Sequence, residues 1–563
     1  MSIVFFRFDP KDGPVLDSDV LNSLKEHRLG IIARAPKEKV IEALKASGVA
    51  DYFDEELFVR RSDDADATYS EVAKRARVTE DAVYYVDADR EEIGRAAGNG
   101  LQAVHDPSHI SLVGAISQLD TSGMADCVAD EKAAGLNSDP GPSGETNFQR
   151  MLQRLEAAKV RLPPLYVNAA EVPFVAKLNS LDSAGFTQIL ANGGDPALLL
   201  QDIAHSILQN GEKFEDTATD AFEEVVTDLY DGFLSAQDRN GIKTPDRLVL
   251  PPLVKWGNPD FGPYTWPGDA TASFGVQCAV VNMPPTNAKG GLMAWAALAH
   301  ETAGHDILHA DKGLQAEIAG AVQNGLKDLN FGLADYWSAR IDETASDVMG
   351  ILNMGPAAAM GMIGFFRGLL ASLGRAAQLR NDGPAGDSHP ADILRGYLGA
   401  AVVRRLSFTA APQWANAIES ETERDVAGPL FKIGGIAVPK ARAKQSAQVV
   451  AEIIATRKMQ ALRNHALIEI QDWRDADEAI AQSIIPALTT ANALPANVTG
   501  IGVFAAHVVS AAVVGALART APPATIFKRM ITVLKAMHDG NPAWGPLHVL
   551  HPSSIYRDMA YCI

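Results

Sequence analysis

Residues 295–311 read WAALAHETAGHDILHAD, and their polar members set the terms for the whole chain. His300, Glu301, His305, Asp306, His309 and Asp311 fall within about three helical turns, directly after the apolar, helix-forming run GLMAWAALA at 291–299. The polar cluster therefore emerges from a buried segment. Imidazole and carboxylate groups are costly to desolvate unless they are paired or hold a metal. Three histidines with acids between them point to a metal site, against the plainer alternative of a hydrogen-bonded polar helix face.

The spacing admits two ligand sets. Metal-binding H-E-x-x-H places its histidines one turn apart, with the Glu between them as general base. Here the spacing is one residue longer. In a regular helix, residues five apart diverge by roughly 140° and residues four apart by about 40°. His300 and His305 thus share a metal only if the helix carries a one-residue bulge, for which Gly304 is the candidate position. Glu301, His305 and His309, at i, i+4 and i+8, form a stripe that needs no bulge.

The run His300-Glu301-Thr302-Ala303-Gly304-His305 resembles the H-E-x-x-x-H motif of the dipeptidyl-peptidase III family of zinc metallopeptidases, including the Gly before the second His. That family takes a further Glu ligand from a later E-E-x-x-A-[DE] motif, to which Asp342-Glu343-Thr344-Ala345-Ser346-Asp347 is similar. The resemblance implies His300, His305 and Glu343 as ligands, Glu301 as the base and Zn2+ as the metal. It covers two short motifs, separated by a shorter gap than in the family. A two-His-one-carboxylate set also serves non-haem Fe2+, so another class of metalloenzyme is the alternative. A non-catalytic scaffold is the third reading.

Residues 1–118 alternate strands and helices. Apolar runs at 2–8, 29–33, 56–59, 82–87 and 102–105 read as strands, and 15–26, 37–47, 69–76 and 90–99 as helices. That order predicts a doubly wound parallel sheet. The wording IVFFRFDPKDG at 3–13, LGIIARAP at 29–36 and AVYYVDADREEIG at 82–94 resembles the haloacid-dehalogenase superfamily without a large cap domain. Arg7 stands where that family has its nucleophilic Asp, and Asp9 where it has the second. The Ser/Thr is missing from IIARAP, and acidic residues (Asp63, Asp64, Asp66) replace the family's Lys. A phosphoaspartyl mechanism needs the carboxylate nucleophile, so the departures imply a catalytically dead domain, with Asp87 and Asp89 read as loop residues at strand ends and a cation site there as the alternative.

Residues 119–147 have linker composition, rich in Asp, Ser, Gly and Pro. Residues 148–563 read as a mainly α-helical, metallohydrolase-like domain with a small β element. Helices are expected at 147–159, 196–209, 216–236, 314–329, 391–407, 440–472 and 523–538. The Pro- and aromatic-rich stretch 248–285 ends in a strand at 273–282. An extended substrate pairs with such strands in peptidases, which makes Tyr264, Trp266 and Asn282 candidates for the cleft. Asp347, four residues beyond Glu343 on the same helix face, is a candidate to orient a ligand His. His309 and Asp306 are alternative or supporting ligands. In GDSHPADILRGY at 386–397, His389 and Tyr397 are candidate catalytic groups and Arg395 a candidate for a substrate carboxylate; the plainer alternative is a helix start with Asp387 or Ser388 as cap and Pro390 in the first turn. His548, His551 and Tyr556 have a weaker claim.

At 563 residues with 47% hydrophobic and 21% charged content, the chain can build two substantial cores. The net charge of −19 argues against nucleic acid or an anionic membrane as partner. The expected partner is a peptide or small amide substrate. Three scattered cysteines, Cys127, Cys278 and Cys562, give no disulfide framework. The start of the chain lacks the pattern of a signal peptide. Apolar tracts at 348–374 and 501–517 carry Pro356, Arg367 and His507 and read as buried helices. The expected location is cytoplasmic.

Overall fold

The computed structural model describes residues 3–8, 18–25, 27–62, 67–69, 71–72, 83–87, 96, 101–104, 119–137, 144–234, 238–239, 241–247, 250–257, 262–489 and 503–540. The chain divides into two compact units. The first comprises residues 1–119 with 403–417 and 473–479, segments that sequence order alone would give to the second.

In the first unit, β1 (Ile3–Arg7), β2 (Arg28–Ala33), β3 (Phe53–Arg60), β4 (Val83–Val86) and β5 (Gln102–Val104) form one sheet in the order β3-β2-β1-β4-β5. Every neighbouring pair is parallel, as the alternation predicts. The central strand IVFFR has no polar face because both of its faces are covered. Val4 and Phe6 pack with Leu21 of α1 (Ser18–Ser23) and with Val40 and Leu44 of α2 (Lys37–Ala46). Ile3 and Phe5 pack with Tyr69, Val72, Ala96 and Leu101 on the other side. Arg7, at the end of β1, sends Nη1 to within 3.1 Å of Asp87 Oδ2, which also accepts a 2.5 Å hydrogen bond from the Tyr85 hydroxyl. Asp9, Asp63, Asp64, Asp66 and Asp89, with most of the expected helices 69–76 and 90–99, lie outside the described residues.

The second unit is mainly helical. The expected linker contains a helix, α3 (Met124–Gly135), and its polar composition has a use. Helix α6 (Leu292–Ala303) has Gly291 at its N-cap, with no side chain to cap it. Asp130 Oδ2 accepts from the amides of Gly291 and Leu292 (3.2 and 3.1 Å), and Glu131 Oε2 from that of Ala294 (3.1 Å). Carboxylates on free N-terminal amides satisfy the helix dipole. Burial outweighs those hydrogen bonds for Glu131 and pushes its carboxyl up to about 8.

Around α6 pack α5 (Asp216–Leu234), α7 (Ile341–Met354), α8 (Pro356–Ser372), α10 (Ala505–Leu517) and α11 (Pro523–Asp539). Helix α4 (Gly194–Glu212) lies against α5 and a small sheet, and α9 (Asp392–Val403) reaches α6 through Arg395. Trp295 anchors the arrangement: its ring lies 6.1 Å from Phe222, 6.4 Å from Trp256 and 6.0 Å from Phe527. The sheet runs β6-β8-β7, with β6 (Leu250–Trp256) parallel to β8 (Cys278–Met283) and β7 (Tyr264–Trp266) antiparallel to it. The strand expected at 273–282 is shorter than foreseen, because 272–274 form a helical turn closed by Gly275 at φ 85°. Residues 348–374 are two helices, broken where Gly355 takes φ 68° and Pro356 starts the next. Among the described residues no helix is long and apolar enough to cross a membrane. The helix expected over 440–472 stops at Thr456. Arg463 and Asn464 adopt positive φ and fold the chain back, so that Met459 pairs with His465.

Helix α7 crosses α6 at Gly350, where a Cβ would lie 2.9–3.1 Å from the backbone of Ala299 and His300. Helix propensity alone would make Gly350→Ala stabilising. The close crossing instead predicts a loss of about 1–3 kcal/mol from overpacking. Gly320→Ala, in the helix Leu314–Leu326 with open space around it, should gain about 0.5–1 kcal/mol. Denaturant midpoints of the two variants check the opposite signs.

Candidate metal centre

Helix α6 ends one turn after His300. It runs to Ala303, the chain turns at residues 304–306, and a short 3-10 segment follows at Ile307–Ala310. No bulge is inserted; the helix stops between the two histidines. Gly304 is required there by contact, since a Cβ would fall 1.9 Å from Ser346 Oγ and 2.5 Å from Ser346 Cα on α7. The turn brings His305 beside His300, with ring centroids 5.1 Å apart and planes at 80°. The regular stripe of Glu301, His305 and His309 does not exist, because there is no helix to carry it.

Helix α7 supplies the remaining groups. His300 Nδ1 donates to Asp347 Oδ1 at 2.8 Å, and His305 Nδ1 to Asp342 Oδ2 at 2.8 Å. Each Nε2 is left facing Glu343: His300 Nε2 is 3.2 Å from Oε2 and His305 Nε2 is 3.8 Å from Oε1. One ligand atom from each of His300, His305 and Glu343 lies within 4.8 Å of the other two. Bonds of about 2.0–2.1 Å in a tetrahedral site place neighbouring ligand atoms about 3.3–3.4 Å apart, so small adjustments suffice. The tautomer fixed by carboxylates at Nδ1 is the one that presents Nε2 to a metal. Glu343 Oε2 is buried without a hydrogen bond of acceptable geometry. These residues fit a divalent cation.

The electrostatics agree. Burial disfavours the His300 imidazolium, but its hydrogen bond to Asp347 and the Glu343 carboxylate close to its Nε2 outweigh burial and carry it up to about 10. His305 is raised in the same way by Asp342 against burial. Burial would raise Glu343, yet His300 close to its Oε2 and the nearby histidine charges hold it down at about 2. Asp342 and Asp347 are held well below the usual carboxylate range against the same burial penalty, by His305 and His309 and by Arg395 and His300 respectively.

Several expected residues have other duties. Arg395 does not await a substrate carboxylate: its Nε and Nη2 hold both oxygens of Asp347 at 2.8 and 2.6 Å. Tyr397 donates to Glu423 at 2.9 Å and packs on Phe431, away from the triad. Asp306 is consumed by the Tyr230 hydroxyl (2.7 Å) and the Gly268 amide (2.8 Å). His309 Nε2 is 3.5 Å from Asp342 Oδ1, a neighbour of the site and not a member of the triad. His389 is brought in, with Nε2 3.3 Å from Glu343 Oε1 and about half its side chain exposed. His548, His551 and Tyr556 lie outside the described residues.

The strand residues are displaced by one position. Tyr264 and Trp266 turn away from the metal helix and both donate to Asp202 Oδ2 at 2.8 Å. Asn282 is fully buried and accepts from Lys255 at 3.2 Å. Strand alternation sends Thr265 the other way. Its hydroxyl sits 3.0 Å from the Glu301 carbonyl oxygen and 3.1 Å from Glu301 Oε2, donating to that pair. Strand β8 has neighbours on both edges and cannot receive an extended chain, whereas among the described residues β7 pairs with β8 alone. Thr265 and Asp342 are the two site residues that sequence reading missed. Thr265 had a signal in the alternation around Tyr264 and Trp266, and Asp342 in its place beside Glu343.

His300, Glu301, His389 and Arg395 border one cavity of about 330 Å3. Glu301 thus reaches the space beside the triad while Thr265 fixes its carboxylate from behind. No protein-family model, curated protein or solved structure matches the chain.

Metal uptake must displace the proton on His300. Its folded pKa lies above the ordinary value, so the stability it lends the metal-free protein is complete below about pH 6.5 and is lost as pH rises through about 10. Titration with Zn2+ at pH 8 should therefore release about one proton or more per ion. Calorimetry in two buffers of different ionisation heat reads that number, and a value of zero would contradict the assignment.

Proposed function

We propose that this chain is a zinc-dependent hydrolase of peptide or small amide bonds, a metallopeptidase of the H-E-x-x-x-H type. The observation that carries the reading is the convergence of His300 Nε2, His305 Nε2 and Glu343, with each imidazole held from behind by a carboxylate. A bound divalent ion would supply Lewis-acid polarisation of a carbonyl and acidify a water. The protein's own part is proton management. Glu301, aligned by Thr265, takes a proton from water as the oxygen–carbon bond forms. It then delivers that proton to the leaving nitrogen as the carbon–nitrogen bond breaks. His389, on the open side of Glu343, is placed to donate to the oxygen that gains charge. His300 and Asp347 keep their positions because Arg395 neutralises Asp347, and His305 keeps its own through Asp342.

The first unit we read as a haloacid-dehalogenase-like domain without that chemistry. Its parallel sheet accords with the resemblance, and Arg7 occupies the nucleophile's position, where it pairs with Asp87. A guanidinium there occupies the carboxylate that such a site would otherwise offer to a cation.

Metal content and amide hydrolysis, measured together, test the hydrolase reading. Wild type should hold one equivalent of zinc. His300→Ala and Glu343→Ala should lose it, and His309→Ala should keep it. Glu301→Gln should retain zinc while hydrolysis falls by about 10²–10⁴-fold. Full activity of Glu301→Gln would overturn the mechanism, and iron in place of zinc would redirect it to oxygen chemistry.

A further inference from the structure

We propose that the cavity beside the triad takes an apolar peptide segment ending in a free carboxylate, and that Arg375 is the counter-ion for that carboxylate. The inference rests on the hydrolase reading and names the substrate end that the site favours.

The wall of the cavity comes from one helix. Met362, Phe365, Phe366, Leu369 and Leu370 of α8 border it, at the i, i+3, i+4, i+7 and i+8 positions of a single face. The face of α8 that packs inward is marked by different residues. Gly361 closes on Ala296, Gly364 on Met293 and Gly368 on Glu131. The apolar stripe therefore serves the cavity. Phe366, Leu369 and Leu370 remain only half-buried, as the lining of an open site would.

The two ends of the wall differ. Met362 Sδ lies 3.8 Å from Arg395 Nη2, which places that end at the triad. From Met362 to Leu370 the helix rises about 12 Å, the length of three to four extended residues at about 3.3–3.6 Å each. Just beyond the helix, Arg375 borders the same cavity.

Three arginines reach this cavity, and two are spent. Arg395 holds Asp347, and Arg380 holds Asp387 and Asp392 at 2.7 and 2.8 Å. Arg375 is exposed, and its guanidinium has no partner among the described residues. In a chain of net charge −19, an unspent arginine at the far end of an apolar wall supplies what a carboxylate needs. A guanidinium fork matches both of its oxygens.

The test compares an N-acetylated apolar tetrapeptide acid with the same peptide as its C-terminal amide, on zinc-loaded wild type and Arg375→Gln. Wild type should favour the acid by about 10- to 100-fold in kcat/KM, the range of a charge-assisted hydrogen bond. Arg375→Gln should bring the acid down to the amide. Equal rates on the two peptides, or a preference that survives Arg375→Gln, would overturn the subsite. Calorimetric affinities of both peptides for zinc-loaded Glu301→Gln, with and without Arg375→Gln, read the subsite without turnover. If neither peptide is cleaved but the acid still binds through Arg375, the hydrolase reading falls and the subsite stands. If the acid and amide bind alike, the subsite falls.

Discussion

Asp347 is buried completely, and its charge is answered on two sides. Arg395 grips both oxygens and His300 donates to one of them. A carboxylate carried out of water costs several kcal/mol, which only close pairing offsets. That requirement ties α9, which carries Arg395, to α7, which carries Asp347, and both to the last turn of α6. Once the three helices are locked, His300 has one orientation and Glu343 one place to be. The geometry of the triad follows from satisfying Asp347.

The same constraint explains why small residues sit where they do. Gly350 lets α7 approach the backbone at His300, and Gly304 lets the turn after α6 pass Ser346. Shifting either contact by a methyl group would move Nε2 atoms that lie 3.2 and 3.8 Å from Glu343. Thr265 and Asp202 extend the scheme to the sheet. Asp202 accepts from Lys255, Tyr264 and Trp266, which holds the short strand β7 so that Thr265 meets Glu301. The placement of Glu301 beside the triad thus rests on a buried polar network behind β7.

Much of this was legible in the residues themselves. Continuous apolar runs such as IVFFR announce strands covered on both faces, and the parallel sheet of the first unit followed from their alternation with helices. His300, His305 and Glu343 were found by motif, and Asp347 by its place one turn after Glu343. What failed depended on distant contacts. The end of α6 is set by Ser346, forty-two positions away in sequence, so a bulge was expected in its place. Arg395 looked available because its partner lies on another helix. The stretch 119–147 looked like linker because Asp and Gly are common in loops, whereas Asp130 and Glu131 serve as caps for a helix whose own N-cap residue is glycine. Residues 440–472 looked like one helix because periodicity does not register the positive φ values at Arg463 and Asn464.

The central claim is that one cation binds between α6 and α7, and anomalous scattering addresses it most directly. Crystals of the zinc-loaded protein, measured on both sides of the zinc absorption edge, should show a single strong peak within bonding distance of His300 Nε2, His305 Nε2 and the Glu343 carboxylate, with His309 outside its coordination. A peak at His309, or no peak between the two histidines at saturating zinc, would contradict the account.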